Sequence, residues 1–404
     1  MRVVISPGRA SGKINATPSK SVAHRLLICS ALADGESVIR GISDCEDVAA
    51  TLDCMAALGI RAERCGADVT VYGRAPRCMS PSAPLDCRES GSTLRFLIPV
   101  ALATGRTAML VGAKSLMARP MSVYEDMCRE KGLAYLYDGE SITVKGPLSS
   151  GEYSLVGNVS SQFISGLLFA LPTLTGDSRI RITPPIESRS YIDLTVDALA
   201  KFGVRVVWED ERTLFIKGGQ KYTSTTLTVE GDYSGAAFPE ALNLFGGEVE
   251  VTGLNPDSIQ GDKAYKRHFE LLDRGVPTIH IGNCPDLGPI LFAVAAAKCG
   301  GIFSGTRRLK IKESDRAAAM ATELAKFGTA VTVQEDRVVI FPAKFEKPSE
   351  PLYGHNDHRI VMSLAILLTI TGGEIIGAEA VKKSYPAFFD DLAALGIGVE
   401  IYDD

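Results

Sequence analysis

The sequence predicts a mixed fold, α/β with α+β character, arranged as two similar lobes of three repeated units each. Three observations lead there. A pattern of an apolar helix end, a glycine and one or two short alternating strands recurs along the chain. It recurs six times at nearly constant spacing. At 404 residues, the chain also exceeds one ordinary hydrophobic core and leaves room for two.

The repeat reads LGIRAERCGADVTVYG from Leu58, KGLAYLYDGESITVKG from Lys131 and FGVRVVWEDERTLFIKG from Phe202. It returns as RGVPTIHIG from Arg274, FGTAVTVQEDRVVIFP from Phe327 and LGIGVEIYDD from Leu395. Its glycines are Gly59, Gly132, Gly203, Gly275, Gly328 and Gly396, with separations of 73, 71, 72, 53 and 68 residues. Each fits the left-handed position that closes a helix. A unit this long holds helices and strands of mixed direction, so three units make one compact lobe rather than a solenoid. The Thr-rich stretch 221–229 marks a seam. The expected division is residues 18–228 as one lobe and residues 1–17 with 229–404 as the other. A cleft between lobes is then the expected ligand site.

Hydrophobic content of 46% and charged content of 23% are those of an ordinary globular enzyme. A formal net charge of -5 argues against general nucleic-acid binding, so any anionic ligand has to be met by locally gathered Lys and Arg. No aromatic series interleaves those basics. Nine cysteines without a C-x-x-C pair read as buried reduced thiols. The first residues, MRVVISPGRASG, lack the apolar run of a signal peptide, and the longest apolar run, 360–370, is too short to span a bilayer. A cytoplasmic protein without membrane contact is expected.

Charge gathers where helices are predicted to begin. In 17–35, Pro18 and Ser19 open a helix with Lys20, Ser21 and Arg25 in its first turns. In 88–103, Gly91 and two hydroxyls precede an apolar helix carrying Arg95, and free backbone N–H groups beside Gly91 suit a phosphate. Arg119 follows. Ser160, Ser161 and Gln162 start another apolar helix, and Ser188 and Tyr191 are expected just before the next. Further on, Asp286 precedes a strongly apolar helix, where an N-cap is the simplest reading. In 311–328, Glu313, Ser314 and Asp315 are expected to cap a helix whose inward stripe runs Lys312, Arg316, Met320, Leu324, Phe327. Read alone, this stretch fits a solvated salt-bridge face as well as an anion site. His355 and His358 lack a third metal ligand of matching character, so no metal is expected. Arg359 and Lys383 complete the set. Cations at helix starts in different repeat units favour a small polyanion, or two phosphorylated molecules.

The motifs PSKSVAHR, ESGSTLRFL, ARP, SSQF, SRSYID, EGDYSGAAF, IKESDR, NDHR and KKSYP stand in the order found in the enolpyruvyl transferases, and the chain resembles that family over nearly its whole length, specifically its shikimate-pathway branch. The resemblance implies two lobes of three βαβαββ-type units, an inside-out α/β barrel, with the chain crossing twice. It implies transfer of the enolpyruvyl group of phosphoenolpyruvate to the 5-hydroxyl of shikimate 3-phosphate, with release of phosphate, by a monomer that uses no cofactor. By motif position, shikimate 3-phosphate falls to Lys20, Ser21, Arg25, Ser160, Ser161, Gln162, Ser188, Tyr191, Asp286 and Lys312. Phosphoenolpyruvate falls to Lys20, Gly91, Arg119, Gln162, Arg316, Arg359 and Lys383, its carboxylate to Arg316 and Arg359.

In the implied addition and elimination, Asp286 is the base for the hydroxyl and Glu313 the acid for the methylene carbon, with Lys20 and Lys312 stabilising charge. The space beside Gly91 implies inhibition by glyphosate, relieved by Gly91→Ala. Two positions depart from the commonest pattern: Glu89-Ser90 before Gly91, and Arg308 four residues before Lys312. The sister transferase acting on UDP-N-acetylglucosamine would carry Lys-Asn where this chain has Lys20-Ser21. A non-catalytic anion-binding protein would not need Asp286, Lys312 and Glu313 together.

Overall fold

The computed structural model describes residues 1–403. Two compact units emerge, one formed by Met1–Ser19 with the chain from Gly231 onward, the other by Lys20–Glu230. Each has its own apolar core.

Among the described residues there are six sheets, five of which share one strand order, and the repeats at Gly275 and Gly328 put their strands in the same sheet. In the Lys20–Glu230 unit, Leu85–Asp86 lies parallel to Thr107–Val111, which pairs antiparallel with Ser141–Lys145, itself paired with Ala134–Tyr137. Helices Gly91–Ala103 and Ser122–Lys131 connect these strands, making a βαβαββ unit. The same order runs through Glu152–Val156, Ser178–Thr183, Thr213–Ile216 and Val206–Trp208. In the other unit it runs through Thr278–His280, Gly301–Ser304, Arg337–Ile340 and Val331–Val333. Two sheets complete the order with distant strands. Ala33–Arg40 takes its parallel partners from Tyr222–Thr223 and Thr226–Thr228. Arg2–Ile5 inserts between Gly373–Ile376 and Val399–Tyr402.

The sixth sheet is the exception. It is only Ser11–Asn15 beside Glu248–Thr252, with no hairpin after its helix. This explains both the short 53-residue spacing and the behaviour of Gly275. Five repeat glycines have φ between 65° and 88°, whereas Gly275 has φ 159° and ψ -147°. The expectation of six left-handed helix ends is corrected there. The Tyr265–Arg274 helix runs out in extended backbone to Pro277 and the Thr278–His280 strand, so no hairpin has to be reversed into.

Gly91–Ala103, Ser161–Ala170, Gly288–Ala297 and His358–Thr371, each after the first strand of a parallel pair, are buried on nearly all sides. Gly91–Ala103 packs on Ser161–Ala170, which packs on Arg189–Lys201. In the other unit, Gly288–Ala297 packs on His358–Thr371 and Arg316–Ala325. Gly91, Ser160, Ser161, Gln162, Asp286 and Arg359 sit at or just before the starts of these helices. Among the described residues no helix is long and apolar enough to cross a membrane. Three cysteines, Cys65, Cys78 and Cys299, are exposed rather than buried as expected, because they sit on an edge strand, a short 3-10 turn and a helix-to-strand loop.

Candidate functional site

In the unit from Gly231 onward, the charged residues converge on Arg316. Its guanidinium donates to Asp357 at 2.8 and 3.3 Å, to Asp286 at 2.7 Å and to Glu313 at 2.7 Å. Arg316 is 1% exposed and Asp357 is fully buried. Burial alone would pull the Arg316 pKa down, but Asp357, Glu313 and Asp286 together hold it well above the usual value. Removing one partner from such a set leaves buried charge uncompensated.

Asp286 is the second focus. Lys312 Nζ stands 3.0 Å from its Oδ1 and Arg359 Nη2 3.5 Å from its Oδ2. Burial pushes the Asp286 carboxyl up, but Lys312, Arg359 and Arg316 outweigh it and hold it well below the usual carboxylate range. The N-cap reading of Asp286 is corrected: it lies in the 3-10 turn Pro285–Leu287, and Leu287 occupies the cap position of Gly288–Ala297. For Lys312, desolvation is the largest influence and lowers its pKa, with Asp286 opposing.

The expected helical stripe from Lys312 is also corrected. The helix is Arg316–Ala325, capped by Asp315, whose Oδ1 accepts from Ala318 N at 3.1 Å. Ser314 is drawn away to donate to Asp357 at 3.0 Å, and Glu313 is held by Arg316. Lys312 therefore stands on the turn before the helix, while Arg316, Met320 and Leu324 keep the buried face. Lys383 donates to the carbonyl oxygen of Asn356 at 2.6 Å and to its Oδ1 at 2.7 Å.

In the Lys20–Glu230 unit the cations are held differently. Arg25, 2% exposed, donates to Thr195 Oγ1 at 2.8 Å and to the carbonyl oxygens of Ser21 and Tyr191 at 2.6 and 2.8 Å. It also lies 5.1 Å from the Phe96 ring centroid. Burial lowers its pKa to about 10. Lys20, at the start of Lys20–Leu32, pairs with Asp47 at 2.7 Å. Arg95 donates to Gln162 Oε1 at 2.7 Å, and Gln162 Nε2 donates to Ser92 Oγ at 2.9 Å. A Cβ on Gly91 would lie 3.1 Å from Arg119 Nη1 and 3.2 Å from Arg95 Nη1, so Gly91 lets two guanidinium groups approach a helix start.

The departure at Glu89-Ser90 has a structural account. Ser90 Oγ caps the helix by accepting from Thr93 N at 3.3 Å, and Thr93 Oγ1 donates to it at 2.8 Å. Thr93 also meets Thr51 at 2.7 Å, which meets His24 Nδ1 at 2.7 Å. This buried chain of hydroxyls supports the backbone at Gly91 from behind. Ser160 caps Ser161–Ala170 through Gln162 N at 3.3 Å, and Ser161 is buried beside it. Ser188 precedes Arg189–Lys201 with φ 55°, a left-handed backbone without a side-chain cap. Tyr191 lies inside that helix, not before it as expected, because the chain turns at Ser188 and is helical from Arg189.

Asp47, Asn356, Asp357 and Thr195 were not singled out from the sequence. Asp357, within the NDHR motif, is the N-cap of His358–Thr371, accepting from Arg359 N at 2.9 Å. Arg308, left out of the expected site, is 4% exposed, and its charge opposes that of Lys312.

The chain matches the family model described as EPSP synthase (3-phosphoshikimate 1-carboxyvinyltransferase) over residues 4–392. It is 40% identical to the 3-phosphoshikimate 1-carboxyvinyltransferase of Clostridium perfringens (strain 13 / Type A), over 98% of each chain. It is 38% identical to the protein of the same name from Clostridium botulinum (strain Eklund 17B / Type B), over 97% of this chain and 96% of that one. Among solved structures it is similar to EPSP synthase from Acinetobacter baumannii, with a TM-score of 0.79 and 26% identity over 99% of this chain and 100% of that one.

Proposed function

The chain belongs to the EPSP synthase family, and from that footing we propose its reaction and the residues that carry it. It is a transferase of aromatic amino-acid biosynthesis that moves the enolpyruvyl group of phosphoenolpyruvate to the 5-hydroxyl of shikimate 3-phosphate and releases phosphate. The same reading makes it a cytoplasmic monomer. The sister reaction on UDP-N-acetylglucosamine is not favoured, given relatives that share its length and carry the other name.

The observation that carries the chemical reading is Asp286 under three cations, Lys312, Arg316 and Arg359. In that setting the carboxylate is too weakly basic to take a proton at neutral pH. Anionic substrates change this. A carboxylate or phosphate that claims Arg316, Arg359 or Lys312 loosens their hold on Asp286 and on Glu313, so both become free for proton transfer when substrate is present. Glu313, ionised while paired with Arg316, takes up a proton as the substrate draws Arg316 away and gives it to the methylene carbon of phosphoenolpyruvate, and the shikimate oxygen bonds to the adjacent carbon as its proton passes to Asp286. Phosphate leaves from the tetrahedral adduct with the proton held by Asp286, and the ionised Glu313 takes a proton back from the new methyl group, which restores the double bond. Lys20 and Lys312 stabilise the developing negative charge.

Arg25 supports the assignment of the sugar phosphate. A buried guanidinium held only by neutral oxygens carries charge that a phosphate would satisfy. Ser160, Ser161 and Ser188 add hydroxyls, with Ser21, Gln162 and Tyr191 beside them, while Gly91, Arg119, Arg359 and Lys383 serve phosphoenolpyruvate. The deciding measurement is phosphate release with each substrate alone and with both. Release is expected only with both, and release from phosphoenolpyruvate alone would refute the reading.

A further inference from the structure

The geometry points to Glu323 and His355 as positioning residues that fix Lys383, and we propose that they set the affinity for phosphoenolpyruvate without touching it. The inference rests on the reading of Lys383 as a phosphoenolpyruvate ligand.

Glu323 lies on the Arg316–Ala325 helix and is 1% exposed. Its carboxylate accepts from His355 Nε2 at 2.8 Å, from Tyr353 N at 3.0 Å and from Lys326 Nζ at 3.0 Å. Burial works against its charge, but these three donors keep it ionised, with its pKa below the usual glutamate value. Two of the three donors belong to one short stretch, Tyr353 to His355. The His355 ring also meets the Tyr353 ring edge-on at 5.1 Å, so the stretch is gripped twice.

Beyond that grip the backbone does something uncommon. His355 and Asn356 are consecutive non-glycine residues with φ of 50° and 51°. Such a pair persists only when its surroundings hold it. Its effect is to bring the carbonyl oxygen and Oδ1 of Asn356 to one point, where both accept from Lys383 Nζ. Asp357 follows directly and carries Arg316. The turn thus converts a buried carboxylate on one helix into the placement of an ammonium on another segment.

The test uses the full chain and four variants, His355→Ala, Glu323→Gln, Lys383→Met and the double variant His355→Ala/Lys383→Met. Steady-state kinetics give KM for each substrate, and mass spectrometry gives the rate of acetic-anhydride labelling at Lys383, which is 6% exposed. For His355→Ala and Glu323→Gln we expect KM for phosphoenolpyruvate to rise roughly tenfold with KM for shikimate 3-phosphate within about twofold, as for loss of one charge-assisted contact. Lys383 labelling should quicken by a similar factor. In the Lys383→Met background, adding His355→Ala should change KM for phosphoenolpyruvate by less than about twofold.

Equal rises in both KM values, unchanged labelling, or effects that multiply in the double variant would overturn the proposal. If His355→Ala does not fold, Glu323→Gln carries the same comparison. If Lys383→Met leaves KM for phosphoenolpyruvate unchanged, the reading of Lys383 fails, while labelling still decides whether the clamp positions it.

Discussion

Arg25 and Arg316 are both buried guanidinium groups on the first turns of helices, yet they are stabilised in opposite ways. Arg316 is met by Asp357, Asp286 and Glu313, whereas Arg25 is met by one hydroxyl and two carbonyl oxygens. The first charge is already neutralised by the fold, and the second is solvated but not neutralised. One arrangement ties Asp286, Glu313 and Asp357 to a single buried cation, and the proposed mechanism needs the first two released from it. The other leaves a positive charge with no carboxylate beside it among the described residues, which is what the proposed phosphate contact of Arg25 rests on. Burial alone does not distinguish these two settings; the chemistry of the acceptors does.

The sharpest way to break this comparison is to delete each charge with a side chain of similar length. Arg316→Met should cost about 3–5 kcal/mol of folding stability, because the buried Asp357 and the part-buried Glu313 lose this cation and Asp286 is left with Lys312 and Arg359. Chemical denaturation measures it, and a loss under about 1 kcal/mol would remove Arg316 from its structural role. Next in size, Asp286→Asn should lower turnover by on the order of 10² while shikimate 3-phosphate binding survives, since it removes the base and leaves the cations. Unchanged turnover would exclude Asp286 as the base.

Arg25→Met completes the pair. It should raise KM for shikimate 3-phosphate by roughly tenfold or more while changing stability by less than about 1 kcal/mol, the reverse of Arg316→Met. A large stability loss would show that Arg25 is also structural. Gly91→Ala should act more mildly, raising KM for phosphoenolpyruvate several-fold, about 1 kcal/mol, by pressing on Arg119 and Arg95. Inhibition curves on the same variant test whether glyphosate uses that space. The smallest effect is in pH. The folded-state pKa of Asp286 is depressed, so its stabilisation is present above the unfolded value of about 3.9 and is lost as pH falls further. The gap in Tm between the wild type and Asp286→Asn should therefore close below about pH 4, and a gap independent of pH would contradict the ion-pair account.

Much of this was legible in the sequence, for identifiable reasons. A helix-closing glycine needs φ above zero, so its recurrence exposed the units, and it misled only at Gly275, where the hairpin it should announce is missing. Cations at helix starts flagged both clusters. What stayed hidden was pairing over distance. Nothing local in 311–315 says that Ser314 turns to Asp357 and Glu313 to Arg316, leaving Asp315 to cap, so the helix start was placed too early. Thr195 beside Arg25 and Glu323 beside His355 carry no local mark either, because their roles come from residues 170 and 32 positions away.

The strand Arg2–Ile5 has a bearing on how the molecule comes to be made. It pairs with Gly373–Ile376 on one side and Val399–Tyr402 on the other, so a strand made before the Lys20–Glu230 unit has to wait for partners made after it. The Lys20–Glu230 unit has all its own strands out of the ribosome long before that. Nascent chains should therefore carry one finished unit and a preceding strand with unpaired edges, and this interval is where chaperone binding would matter most.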